Sequence, residues 1–160
     1  MPDMLVKLYN LPDPAETMQK LLSGGISLRR AIAPEKHLVT QWITTQFNAP
    51  WASECEVAFG HVPLGCFIAV AQNRLLGFAC YDATQKGFFG PTGVAPDVRG
   101  RGVGKALLLA ALHAMHAEGY GYAIIGAVGP AEFYTNAVGA TPIEDSSPGI
   151  YKGMLRAPRS

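Results

Sequence analysis

"VAPDVRGRGVGKALLLAAL", residues 94–112, runs from the end of an extended stretch through a glycine–arginine turn into a strongly helix-forming run. Gly100, Gly102 and Gly104 leave the backbone N–H groups of the turn sterically open. The helix that follows aims its unpaired N-terminal N–H groups, and the positive end of its dipole, back at the same turn. Arg99, Arg101 and Lys105 add cationic side chains at the rim. These features together describe an anion site, suited to a phosphate or a diphosphate. Two nucleotide motifs fail against it. A P-loop ending at Gly104-Lys105 requires glycine where Arg99 stands and Ser or Thr where Ala106 stands. The dinucleotide fingerprint requires Gly or Ala where Lys105 stands.

Working outward, the helix extends from about Gly102 to Glu118 and is stopped by Gly119. "YAIIGAV" (122–128) reads as a buried strand, and "PAEFYTNAVGA" (130–140) as a short helix opened by proline and closed by glycine. A last strand is expected at "GIYKGML" (149–155). Upstream, 66–71 and 75–82 form a hairpin across "QNR", and 88–96 is a further extended segment. Leu38, Val39, Trp42, Ile43 and Phe47 mark one face of a helix over 35–47. Residues 26–33 alternate like a strand, and 4–11 and 14–25 read as a strand and a short helix. The stretch 48–65 reads as irregular or as a broken helix. No repeat or linker interrupts the chain, so residues 1–160 are expected to form one α/β domain, mostly antiparallel strands followed by a β-α-β unit.

Composition narrows the function. The net charge is +1 and charged residues make up 16%, so no overall field favours nucleic acid or a membrane surface; the cationic site is local. No apolar run reaches the roughly 18 residues of a membrane span, and "MPDMLVKLYNLPDP" lacks a signal-peptide layout, which makes the cytoplasm the expected location. The three cysteines, Cys55, Cys66 and Cys80, contain no CxxC, and Cys66 and Cys80 sit in apolar strand-like runs, as buried thiols of a reducing compartment do. His113 and His116 share a helix face without a further ligand, and no metal is expected.

The pattern Arg99-x-x-Gly102-x-Gly104, in its strand–turn–helix setting, resembles the central motif of the GNAT superfamily of acyl-CoA-dependent N-acyltransferases. "EFYTNAVGA" (132–140) resembles that family's Phe-Tyr-x-x-x-x-Gly helix segment. By element order the resemblance covers 26–155, with 1–25 as an N-terminal strand and helix extension. It implies a mixed, mostly antiparallel central sheet, splayed between the fourth and fifth core strands and flanked by helices. In such a fold pantetheine enters the gap and pairs with strand backbone, here at Val94 and Ala95. The diphosphate meets the loop of Arg99, Gly100, Arg101, Gly102, Val103, Gly104 and Lys105, with Asn136 a candidate further contact. Gly90, Pro91 and Gly93 suit a bulge that bends the strand. Tyr134 is the residue the resemblance makes general acid to the CoA thiolate, a role suited to a phenol with an ordinary pKa of about 10; Phe133 is expected in the core.

The implied reaction is transfer of the acetyl group of acetyl-CoA, as co-substrate, to a primary amine by direct attack. An amine of pKa about 10.4 needs a base first. The central strands hold no glutamate, only Tyr81 and Asp82. Glu54 or Glu56 is therefore the candidate base, and Trp51 and Tyr81 are candidates for the acceptor pocket. "GAVGP" (126–130) departs from the family by lacking an asparagine after the fifth core strand. The acceptor is a small-molecule or peptide amine, and the resemblance admits a homodimer. The competing reading is an acyl-CoA-binding sensor or interaction module that has lost turnover.

Overall fold

The computed structural model describes residues 1–159. Its strands are β1 (Met4–Lys7), β2 (Ser27–Arg30), β3 (Cys66–Ala71), β4 (Arg74–Tyr81), β5 (Phe88–Val94), β6 (Tyr122–Ile125) and β7 (Thr141–Pro142). They form one seven-stranded sheet in the order β2-β3-β4-β5-β6-β1-β7. Every neighbouring pair is antiparallel except β5 and β6. That parallel pair requires a crossover, supplied by the long apolar helix α4 (Val103–Ala117). The β3–β4 hairpin turns at Gln72 and Asn73, both with positive φ (49° and 59°), the geometry that matches strand twist in two-residue hairpins.

Side-chain alternation sends β4 to two cores. Ala79 and Tyr81 join the cluster under α4, whose Leu107, Leu108, Leu112 and Met115 are fully buried. Phe78 and Cys80 face the other side, where α2 (Lys36–Gln46) and α3 (Ala49–Phe59) contribute Val39, Ile43, Cys55 and Ala58. The remaining helices are α1 (Ala15–Ser23), which packs beside α4, and α5 (Ala131–Val138). Among the described residues no helix is long and apolar enough to cross a membrane.

Within the N-terminal strand and helix segment β1 lies between β6 and β7, pairing Met4 with Ile125 and Val6 with Ala123, and Met4, Val6 and Leu8 are buried. Two segments differ from the sequence-based expectation. Residues 149–155 form no strand. A short 3-10 turn occupies Gly149–Tyr151, Gly149 has a positive φ of 56°, and Leu155 is 95% exposed. The segment after Phe47 is a regular helix, because Asn48 caps it, accepting from the Trp51 N–H at 2.9 Å, and Pro50 fits its first turn.

Candidate active site

Gly100 and Gly102 have φ of 82° and 84°, so the turn needs residues without a Cβ. Gly102 is the N-cap of α4 and offers no capping side chain. The first α4 bond across the cap runs from the Ala106 N–H to the Gly102 carbonyl at 3.0 Å, which leaves the N–H groups of Val103, Gly104 and Lys105 without helical acceptors. Gly104 faces β5: a Cβ there would stand 3.5 Å from Val94 Cγ2 and occupy the space between helix and strand. The loop separates two cavities. One of about 1140 Å³ touches Val94, Arg99 and Gly104, and the other, about 560 Å³, is lined by Gly100, Arg101, Gly102 and Lys105 together with Lys20 and Glu16 of α1. Asp97, the acid nearest the loop in sequence, is turned outward in a two-pronged pair with Arg74 at 2.6 and 2.8 Å. Asp97 is thereby occupied by Arg74, and Glu16 is the acid that shares the smaller cavity with Arg101 and Lys105.

Beyond the loop the sheet opens. β5 and β6 pair only at Phe88–Ile124 and Phe89–Ile125, after which the strands part. On its other edge β5 carries a bulge: Ala79 pairs with Thr92 and Tyr81 with Phe89, so Gly90 and Pro91 stand opposite Cys80 alone. The Ala95 N–H donates to Leu76 of β4 at 2.8 Å. By strand alternation the Val94 N–H, one residue earlier, points into the opening between β5 and β6. The Val94 carbonyl accepts from Arg99 Nε at 3.3 Å, which ties the loop to the same point.

Tyr134 comes to the large cavity from α5, a helix closed by Gly139 in the left-handed conformation (φ 67°). Its ring packs edge-on against Phe89 and Phe133, at centroid distances of 6.4 and 5.1 Å. Burial raises its pKa, which keeps the phenol protonated. Glu54 enters the cavity from α3. Burial raises its pKa, while a hydrogen bond from Thr84 Oγ1 at 2.5 Å opposes that rise. Trp51 lines the same space, half-buried and stacked against Phe47 at 5.1 Å.

The sequence profile of the acetyltransferase (GNAT) family matches residues 36–138, well over half of the chain and spanning both the loop and Tyr134. The chain belongs to the GNAT acetyltransferase family. Two solved structures illustrate the shared fold. One is the GCN5-related glucosamine N-acetyltransferase region of a fungal multi-domain GH3 beta-N-acetylglucosaminidase (TM-score 0.72, 15% identity, 89% of this chain and 19% of that one). The other is a GCN5-related N-acetyltransferase from Sphaerobacter thermophilus (TM-score 0.69, 19% identity, 89% of this chain and 48% of that one). The chain thus spans half or less of the length of both. No curated protein matches the sequence.

Within this GNAT fold several expected site residues lie elsewhere. Glu56 is exposed and absent from the cavity wall, because two helical positions on from Glu54 turns the side chain away. Asn136 is exposed on α5 and does not reach the cavity. Ala95 is buried with both backbone groups committed, its N–H to Leu76 and its carbonyl to the Val98 N–H. Tyr81 is sealed under α4, bonded to Arg30 at 2.7 Å and to the Glu118 carboxylate, with its pKa pushed up to about 12, so it does not line the acceptor pocket. Phe133, expected in the core, is 38% exposed and borders the cavity. Asp82 is a turn residue, accepting from the Gly87 N–H at 2.8 Å and the Tyr120 hydroxyl at 2.9 Å.

Other contributors have no local signature. Where the family's asparagine is missing, buried Asp3 accepts from the Ala127 N–H at 2.9 Å, and Pro2 accepts from the Val128 N–H at 3.1 Å. The first residues of the chain thus hold the loop after β6. Tyr151, from the segment expected as a strand, lines the cavity with its hydroxyl against Gly126. Cys55, Cys66 and Cys80 converge in the core between α3 and the sheet, their sulfurs within 4.8 Å of one another.

Proposed function

We propose that this chain is an N-acetyltransferase that moves the acetyl group of acetyl-CoA to a primary amine. The observation that carries the reading is an anion cradle whose Arg99 and Gly104 border the same large cavity as an opened sheet edge and a protonated phenol. The cradle fits a diphosphate: open N–H groups at a helix start, three neighbouring cations, and a glycine whose Cβ would fill the approach. Gly102, Val103, Gly104 and Lys105 would hold the diphosphate through backbone N–H groups, with Arg99 and Arg101 beside them. Thr92 and Val94 would pair with pantetheine along the free edge of β5. Asn136 and Ala95 have no part in this.

The bound donor supplies an acyl carbon activated by a thiolate leaving group. Around it the chain has three tasks. The Val94 N–H faces the gap and polarises the acyl oxygen. Glu54, the base among the two candidates that borders the cavity, takes a proton from the incoming amine. Tyr134, kept neutral by burial, gives its proton to the departing sulfur.

Calorimetric titration with acetyl-CoA tests the donor half. Binding is expected in the parent and lost in Gly102→Glu, which puts a carboxylate in the anion cradle. Absence of binding by the parent overturns the transferase reading. Tyr134→Phe should bind normally and lose about 10²-fold or more in kcat. Binding without turnover of any amine would instead favour the sensor.

A further inference from the structure

The acceptor end of the cavity has a composition of its own. The cavity is lined by Phe47, Pro50, Trp51, Val57, Tyr151 and Met154, with Ser53, Thr84 and Gln85 among its polar members. Phe47 lies flat on β5: a Cβ at Gly93 would stand 2.4 Å from its ring, so the glycine is what admits the aromatic wall. Among the described residues the only acid side chain lining the cavity is Glu54 and the only cationic side chain is Arg99; Met1 also lines it, with its terminal ammonium bonded to Ser147 Oγ at 3.4 Å. Arg99 follows β5 beside the loop and bonds Val94, at the donor end.

We propose that the acceptor is a primary amine borne on an aromatic or aliphatic body that carries no anionic group. This rests on the transferase reading above for which end of the cavity receives the amine. Glu54 draws the ammonium into an apolar surround, where a charge-assisted hydrogen bond is strong, and then serves as the proton acceptor. An α-amino acid would bring a carboxylate next to Glu54, where among the described residues no cationic side chain but the loop-tied Arg99 lines the cavity, and an unpaired charge in such a wall is costly. A polyamine would bring a second ammonium with no second acid. An amino sugar brings more hydroxyls than Ser53 and Gln85 can partner, Thr84 being engaged by Glu54, and would set the rest against Phe47, Trp51 and Met154.

Four probes separate these classes: 2-phenylethylamine, phenylalanine (the same body with a carboxylate), spermidine and glucosamine. Two readouts are used. Quenching of tryptophan fluorescence, with Trp51 in the wall, follows amine binding without an acyl donor, and thiol release from acetyl-CoA follows turnover. Phenylethylamine should bind, and be acetylated with kcat/KM at least about tenfold above the other three. Glu54→Gln should weaken its binding about tenfold. Val57→Arg, at an exposed wall position, supplies the missing cation and should shift preference towards phenylalanine. Equal or better use of phenylalanine, spermidine or glucosamine overturns the proposal, as does failure of phenylethylamine to bind. Phenylethylamine binding in a protein that neither binds nor consumes acetyl-CoA supports the specificity of the wall and overturns only the transferase reading.

Discussion

Two opposing influences act on the Glu54 carboxylate. Burial penalises its charge and raises its pKa, while the Thr84 hydroxyl donates to it at 2.5 Å and favours the ionised form. A base works only when ionised, so kcat/KM should fall as pH drops through the Glu54 pKa. Thr84→Val removes the donor and keeps the shape. The ionised form is then stabilised less, the pKa rises further, and the acid limb of the pH profile should move to higher pH, with Thr84→Ser restoring it. An unmoved limb in Thr84→Val would mean that Glu54 is not the titrating group. This site was half legible beforehand. Both Glu54 and Glu56 stood out as acids in an aromatic stretch, but choosing between them required knowing that the stretch is helical. Thr84 had no signal, because its meeting with Glu54 spans thirty positions of sequence.

At the scale of the element, the glycine–arginine loop was legible because its reasons are local: positive φ, a helix start and open N–H groups. Its two inner glycines nevertheless do different jobs, which predicts opposite effects on stability. Gly102 has φ of 84°, where a side chain costs roughly 1–2 kcal/mol, so Gly102→Ala should lower Tm. Gly104 is helical, and an added Cβ meets Val94 at an ordinary 3.5 Å, so Gly104→Ala should gain up to about 1 kcal/mol of helix propensity and raise Tm. The same Cβ fills the approach to the Gly104 N–H, so Gly104→Ala should weaken acetyl-CoA binding despite the gain. Thermal melts and titrations of the two variants check this. Loss of stability in both, or retained affinity in Gly104→Ala, would contradict the division of roles. Elements whose character depends on distant partners were harder to read. Apolar Ile150, Tyr151 and Leu155 suggested a strand, but β1 holds the place beside β6 and β7 the place beyond it, and the segment forms a 3-10 turn at Gly149–Tyr151 instead.

For the whole molecule, the unreadable feature was the placement of β1. Its apolar alternation announced a strand, but nothing local says whether a strand joins one edge of a sheet or sits between strands encoded more than a hundred residues later. In the fold it lies between β6 and β7, and Asp3 at its start holds the loop that borders the cavity. We therefore propose that residues 1–25 melt with the rest as a single cooperative unit. Met4 is fully buried between those strands, so Met4→Ala should cost about 2–5 kcal/mol. Leu22 on α1 is 62% exposed, and Leu22→Ala should change stability by less than about 0.5 kcal/mol. In a domain of this size each kcal/mol moves Tm by about 2–4 °C, so the two variants should separate clearly in calorimetry. An accessory extension would behave differently: Met4→Ala would add an early, small transition and leave the main one in place. A single endotherm displaced downward, with calorimetric and van't Hoff enthalpies still equal, is the result the sheet order requires.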